Sequence, residues 1–399
     1  MSFFDQLTQF PADPILGLPI AFAADSRPNK VNLGIGSYRD AEGAPFFLPS
    51  VKEAEKIVLG RERNMDYLPI DGNPAFIKGT KELIFGSQIL STAPERIITV
   101  QTVGGTSALR LGGEFLSREI SNKIFLPDPT WPNHHMIFPY SGMDVQSYRY
   151  YNKTTFRLDF SEMCSDILAM PPGSTILLHA CCHNPTGIDP SQQEWQKLSE
   201  LIKKQKLIPF FDFAYQGFKE SIDDDAYPIR YFASQGHEMA VASSFSKTFG
   251  LYGERVGSFS VVTHNEETAR KVGSQLKHLI RANYSNPPRH GAAIIAEILS
   301  SEELKHEWLE DLSNMRYRLK EMRHTLIAGL QAKSEHRDWS FLSQQHGFFS
   351  FCGLDEGEVH RLITEYAIYM PLNGRINVAG VNGHNIDYVI EGILDVSHS

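Results

Sequence analysis

The chain has 399 residues, 42% hydrophobic and 21% charged, with a formal net charge of −9. That length permits two structural units, or one large domain with an appendage. The acidic balance argues against a nucleic-acid partner, which needs a basic face to neutralise phosphates, and no apolar run reaches the roughly 20 residues that cross a bilayer, so no membrane partner is expected.

In chain order, Ser50-Val51-Lys52-Glu53 has the form of a capping box, with Val51, Ala54, Ile57 and Val58 as the buried stripe of the helix behind it. The apolar runs at 97–100, 123–126, 174–179, 207–212, 239–243 and 258–262 are predicted strands. Their continuity suits a sheet covered on both faces. Between the first two, Leu109, Gly112, Phe115 and Leu116 share one helical face. Ser191-Gln192-Gln193-Glu194 is a second capping box, followed by Trp195, Leu198, Leu201 and Ile202 on one face. Leu304, Trp308, Leu312, Met315, Leu319, Met322, Leu326 and Leu330 recur at steps of three and four, which predicts a long helix able to carry the chain out of a large domain into a smaller one. Gly347-Phe348-Phe349-Ser350-Phe351 is strand-like, and a closing helix carries Ile386, Val389, Ile390 and Ile393. The alternation implies an α/β domain with a mostly parallel sheet. The N-terminal arm is expected to fold back onto the C-terminal unit.

Cys164, Cys181, Cys182 and Cys352 have no Cys-x-x-Cys spacing and read as buried thiols of a reducing cytosol. The fifteen histidines contain no His-Glu-x-x-His, so no metal is expected. Met1-Ser2-Phe3-Phe4-Asp5 lacks the basic and apolar regions of a secretory signal, and a cytoplasmic location is expected.

The most informative tract runs from Ser243 to Gly257. Lys247 follows an apolar strand, with Ser244 and Ser246 just before it and Arg255 eight residues after. Such a group suits an aldehyde-phosphate cofactor, held as an imine and gripped by its phosphate. Asp212 ends another apolar strand. A buried aspartate needs a cationic partner, either a salt-bridged side chain or a protonated pyridine nitrogen. Tyr215 is either a ligand of such a ring or an amphipathic core residue. Asn184, in Asn-Pro-Thr-Gly, is either a turn residue or an amide donor at a strand end. His179 and His183 can equally be core imidazoles. Thr102-Val103-Gly104-Gly105-Thr106 opens a helix, where free N–H groups favour an anion, although the tract matches neither a P-loop nor a dinucleotide fingerprint. Arg281 and Arg375 sit among small and apolar residues. Each is either a structural ion-pair member or a bidentate reader of a carboxylate, and together they would read a dicarboxylic acid.

Taken together, these motifs resemble the aspartate/aromatic aminotransferases, class I of the pyridoxal-phosphate enzymes of fold type I. The likeness runs from Pro11-Ala12-Asp13-Pro14-Ile15-Leu16-Gly17-Leu18 through Asn32-Leu33-Gly34-Ile35-Gly36 and Tyr67-Leu68-Pro69-Ile70-Asp71-Gly72 to Arg375-Ile376-Asn377-Val378-Ala379-Gly380. The strings around Asn184 and Asp212 look like the bacterial branch. The resemblance implies a large cofactor domain at 46–310 and a smaller α+β domain from both chain ends, 1–45 and 311–399.

It also implies residue roles. Lys247 matches the Schiff-base lysine that shuttles the proton, and Asp212 the aspartate that keeps the ring nitrogen protonated. Tyr215 and Asn184 match the pair on the ring oxygen, Asn184 also touching the substrate carboxylate. Trp131 matches the tryptophan stacked on the ring, and His134 and His179 support Asp212. Gly105, Thr106, Ser244, Ser246 and Arg255 fall where the family binds phosphate. Tyr67 aligns with a tyrosine lent by the partner subunit. Arg375, helped by the Gly36 backbone, matches the α-carboxylate reader, and Arg281 the distal-carboxylate reader from the other subunit. Three departures stand out. Thr248 and Gly253 replace asparagines common in such tracts, and Ser37 replaces a small apolar residue beside the substrate.

The implied reaction is ping-pong exchange between amino acids and 2-oxo acids in a homodimer with shared sites. Aspartate and 2-oxoglutarate give oxaloacetate and glutamate. An aromatic aminotransferase is the alternative within the class. A lyase or decarboxylase on the same scaffold, and an interaction protein that has kept the fold, are the competing classes.

Overall fold

The computed structural model describes residues 2–10, 17–61, 64–334 and 337–397. The Pro11–Leu16 portion of the family likeness lies outside these residues. Seven strands form the central sheet: β1 (Ile97–Val103), β2 (Lys123–Asp128), β3 (Asp144–Arg149), β4 (Thr175–His179), β5 (Ile208–Phe213), β6 (Met239–Ser244) and β7 (Val256–Val262). Their spatial order is β1-β7-β6-β5-β4-β2-β3. β7 runs antiparallel to β1 and β6, and the other pairs are parallel. The continuous apolar runs have the cause inferred from sequence. Along β5, Phe210 joins one apolar cluster with Leu177, Ala240 and Phe259, whereas Phe211 and Phe213 join another with Ile176, Leu178 and Val241. Alternate side chains enter opposite layers, so both faces are buried.

β3 was not foreseen. It is an edge strand, and only Tyr148 of its six residues is fully buried. With so little of it covered, it carries no apolar run to read.

Helix α1 (Pro49–Gly60) corrects one expectation. The Ser50–Glu53 capping box does not form. Pro49 stands at the first helical position behind Leu48, where its fixed φ and missing N–H cost nothing. Ser50 instead donates its N–H and its hydroxyl to Asp311 Oδ2, at 3.0 and 2.6 Å. Val51, Ala54 and Val58 are buried as expected, and Ile57 is partly buried. Helix α2 (Gly104–Glu119) packs Leu109, Gly112, Phe115 and Leu116 inward. At the start of α3 (Gln192–Lys204) the Ser191–Glu194 capping box is complete in both directions.

Helix α4 (Glu302–Lys333) has 32 residues and, at about 1.5 Å per residue, spans roughly 48 Å. Its first half, Leu304 to Leu319, packs in the cluster on the sheet. Leu326 and Leu330 pack in a separate cluster with Val31, Leu33, Ile376, Val389 and Ile393. Helix α5 (Ile386–Ser397) closes this second cluster. Val31 and Leu33 pack there too. Val31–Asn32 pairs in parallel with Ile368–Tyr369, and the Arg27 guanidinium donates to the carbonyls of Ile363 and Thr364. Phe349–Phe351 pairs antiparallel with Arg375–Asn377. Among the described residues no helix is long and apolar enough to cross a membrane, and all four cysteines are buried and unbridged.

Gly112 lets α2 sit close on the sheet. A β-carbon there would stand 2.5 Å from both Phe210 Cζ and Phe259 Cε2. Gly112→Ala is therefore expected to lower stability by about 1–3 kcal/mol through overpacking, despite the higher helix propensity of alanine. Urea unfolding of the two proteins measures the difference.

Candidate active site

In a parallel sheet the loops leaving the C-terminal strand ends share one edge, and ligands bind there. β4 leads to Asn184, β5 to Asp212 and Tyr215, β6 to Ser244, Ser246 and Lys247, and β2 to Trp131. The start of α2 adds Gly105 and Thr106. Gly36, Phe349 and Arg375 complete the lining from outside the central sheet. These segments enclose a cavity of about 220 Å³.

Asp212 is paired with His179 across β5 and β4. Its Oδ2 lies 3.0 Å from His134 Nε2. His134 Nδ1 meets Thr130 Oγ1 at 2.8 Å, Thr130 Oγ1 meets His179 Nε2 at 3.2 Å, and His179 Nδ1 faces the Asn184 backbone N–H at 3.3 Å. This relay has a direction. A backbone N–H only donates, so His179 Nδ1 is the acceptor. Burial pushes His179 down to about 4; Asp212 pulls it back up, His134 adds a smaller push down and Asp189 a smaller pull up, and burial wins, so the ring is neutral and its proton is on Nε2. His179 then donates to Thr130, Thr130 to His134, and His134 Nε2–H to Asp212. Burial works to raise the Asp212 pKa, but the His134 hydrogen bond, aided by the Lys247 charge, holds it below the usual carboxylate value. The facing atoms of His134, His179 and Asp212 converge within 4.8 Å, as metal ligands would. The relay already engages them.

Lys247 lies with Nζ 5.4 Å from the Tyr215 ring centroid. Burial pushes its amine down to about 8. Asp212 opposes this, while Arg255 and Arg375 reinforce it. Burial also pushes the Tyr215 phenol well above its ordinary range.

Two arginines carry charge that no carboxylate among the described residues answers. Arg375 Nη1 donates to Asn184 Oδ1 at 3.3 Å and Nη2 to the Gly34 carbonyl at 3.0 Å. Its guanidinium lies 4.1 Å over the Phe349 ring, and its buried Nε has no partner. Burial lowers its pKa to about 10, which still leaves it cationic at neutral pH. Arg255 Nη1 donates to Ser246 Oγ and the Tyr252 carbonyl, at 3.3 and 3.0 Å. Its Nη2 faces the start of α2, where Gly104 has φ +78°. A β-carbon on Gly104 would stand 2.4 Å from that nitrogen, and one on Gly105 2.7 Å from Ser244 Cβ. No side chain caps this helix start. Uncapped N–H groups, two serine hydroxyls and a guanidinium form a cradle shaped for a phosphate.

Of the residues singled out from sequence, Gly36, Gly105, Thr106, Trp131, His179 and Asn184 line the cavity, as do Asp212, Tyr215, Ser244, Ser246, Lys247, Arg255 and Arg375. His134 lies behind Asp212, fully buried. Tyr67 and Arg281 do not line it. Tyr67 is 90% exposed, and the Arg281 guanidinium is hydrogen-bonded to Ser285 at the surface. Ser37 lines a separate cleft with Ile35 and Asn377, and its carbonyl accepts from the Asn377 amide at 2.8 Å. His183 is a core imidazole stacked on Tyr150 at 3.9 Å. Sequence reasoning missed Phe349 and Thr130. Phe349 reads as one more strand aromatic. Thr130 had only its place beside Trp131 to mark it.

This fold and site define the class. A sequence profile of the family described as "Aminotransferase class I and II" matches residues 28–393, and the chain belongs to that family. It is 46% identical over 394 residues to an aspartate aminotransferase of Haemophilus influenzae, covering 98% of this chain and 100% of that one. The structure of an aromatic-amino-acid aminotransferase from Burkholderia pseudomallei, covalently bound to pyridoxal phosphate, matches with a TM-score of 0.95 at 44% identity, over 99% of this chain and 100% of that one. An aromatic amino acids aminotransferase from Psychrobacter sp. B6, cocrystallised with aspartic acid, matches with a TM-score of 0.97 at 40% identity, over the whole of both chains.

The relay gives a signed prediction. Asp212 is the carboxylate that raises the Lys247 pKa. Asp212→Asn should therefore lower the Lys247 titration midpoint below the wild-type value of about 8. The check is the pH dependence of Lys247 modification by an amine-selective reagent in protein freed of small molecules, read by peptide mass spectrometry.

Proposed function

We propose that this chain is a pyridoxal-phosphate-dependent aminotransferase that exchanges the amino group of aspartate with 2-oxoglutarate, giving oxaloacetate and glutamate. The observation that carries this reading is a lysine whose amine is brought to about 8, facing a carboxylate that stays ionised in a cavity otherwise cationic. The residues present fit the cofactor. The Gly104–Gly105 cradle with Ser244, Ser246 and Arg255 would hold its phosphate, Asp212 its ring nitrogen, Asn184 and Tyr215 its ring oxygen, and Trp131 would cover its face. When bound, the cofactor supplies an electron-withdrawing ring that takes up the electrons left as the α-proton departs.

The protein does the rest. Asp212, held ionised by the His134 donor, keeps a facing ring nitrogen protonated. Lys247 Nζ serves as covalent anchor and, when free, as the base that takes a proton at the substrate α-carbon and returns it. Arg375 binds the α-carboxylate through the fork left open at Nε, and Asn184 braces both that arginine and the carboxylate. We assign the cofactor to a domain at 46–310, with residues 1–45 and 311–399 forming the second unit. The working form is a cytoplasmic homodimer in which Tyr67 and Arg281 serve the partner's site. Phe3, Phe4, Leu7 and Phe10, each more than 70% exposed, support this, because so much uncovered apolar surface favours a second copy.

Aromatic transamination is the second reading, favoured by the close match to two aromatic-amino-acid aminotransferases. Values of kcat/KM for aspartate, tyrosine and phenylalanine on the loaded protein decide between the two.

Three outcomes follow from this reading. Borohydride reduction of the loaded protein should place the cofactor label on Lys247 by peptide mapping, and a label elsewhere refutes the assignment. Arg281→Gln should reduce kcat/KM for aspartate about 100-fold or more beyond any loss for phenylalanine, because a distal carboxylate left unpaired is costly. Equal losses on both substrates remove that role. Sedimentation equilibrium should give a dimer.

A further inference from the structure

Lys247 and Tyr215 each have an immediate neighbour with no role so far, Thr248 and Gln216. The Thr248 hydroxyl donates to the Gln216 carbonyl at 3.1 Å. The two residues are 1% and 3% exposed, so the bond is shielded from bulk water. Each end is anchored elsewhere. The Gln216 side-chain amide donates to the carbonyls of Leu83 and Ile222, at 2.9 and 3.0 Å. The Thr248 carbonyl accepts the Trp308 indole N–H at 2.8 Å, and the next residue, Phe249, stacks on Trp308 with ring centroids 4.5 Å apart and planes 5° from parallel. Trp308 is fully buried on α4. One hydrogen bond thus joins the residue after the lysine to the residue after the tyrosine.

Building on the role given above to Lys247, we propose that Thr248 is a positioning residue. Its hydroxyl, tied to Gln216 and steadied by Trp308, fixes the Lys247 amine relative to Tyr215. The lever is short. Lys247 reaches the cavity on a flexible side chain, so backbone freedom at 247–248 passes directly to Nζ. The charged and titratable groups facing that amine are Asp212, Tyr215, Arg255 and Arg375. They come from separate segments, so a loosened turn changes all of these distances together and lets water reach the amine. Thr248 stands where similar tracts carry asparagine, whose longer amide cannot make the same short hydroxyl bridge. The tie is therefore a feature of this chain.

The test compares wild type, Thr248→Val and Thr248→Ser, each loaded with pyridoxal phosphate, by the pH midpoint of the bound cofactor's absorbance and by Tm. Valine keeps the shape and removes the hydroxyl, while serine keeps the hydroxyl. The expected result is a T248V midpoint raised by about half a pH unit or more, because water entering the site favours the protonated form of the nitrogen that joins lysine to cofactor, with T248S close to wild type. If T248V does not fold, Trp308→Phe carries the test. It keeps the stack on Phe249 and removes the indole donor, and its midpoint should rise as well. A wild-type midpoint in T248V, even with a lowered Tm, reduces the hydroxyl to a structural bond and overturns the proposal. A wild-type protein with no titrating cofactor band overturns the cofactor assignment itself, and the tie falls with it.

Discussion

The site depends on keeping one carboxylate ionised where burial alone would neutralise it. Asp212 ends a strand whose other residues are apolar, and a bare charge there is expensive. The answer is a directional relay. The Asn184 backbone N–H sets the tautomer of His179, which orients Thr130, which presents the His134 proton to Asp212. Because the relay starts at a main-chain donor, its polarity follows from the peptide backbone. The paired register of His179 and Asp212 on adjacent strands keeps this network at one level of the sheet.

With that charge in place, the rest of the cavity is electrostatically unbalanced. Lys247, Arg255 and Arg375 face it with a single carboxylate among them. Buried cations without counter-ions destabilise an empty site, and an anionic ligand relieves the cost. Such a ligand stabilises the folded chain by mass action. The glycines at 104 and 105 match this need, since they clear a space that any β-carbon would fill. A phosphate there and a carboxylate at Arg375 are what the charge distribution of an aminotransferase requires.

The two ends of the cavity belong to different parts of the molecule. Lys247, Asp212 and the phosphate cradle stand on the sheet. Arg375 is carried by a separate two-stranded antiparallel ladder whose other strand supplies Phe349; Ile376 of that ladder packs in the second apolar cluster and Phe349 in the first. Helix α4 runs through both clusters and sends Trp308 to the carbonyl beside Lys247. One helix thus bears on the lysine turn and, through Arg323 donating to Ser350 Oγ and the Gly347 carbonyl, on the ladder that carries Arg375.

Much of this was legible in the amino-acid order. The buried strands, the Ser191 capping box, the length of α4 and most of the cavity residues follow from local periodicity and from polar groups at strand ends. These are short-range signals, set by neighbouring residues. What failed was governed by contacts between distant segments. Ser50 looked like a cap until Pro49 began the helix and Asp311, 261 residues away, claimed its hydroxyl. β3 gave no pattern because an edge strand buries little. Phe349 and Thr130 became site residues only when folding set one against Arg375 and the other between two imidazoles. The sequence alone determined most of the chemical groups the site holds. The tertiary structure decided their protonation and their mutual orientation, because both depend on burial and through-space distance, which no linear spacing encodes.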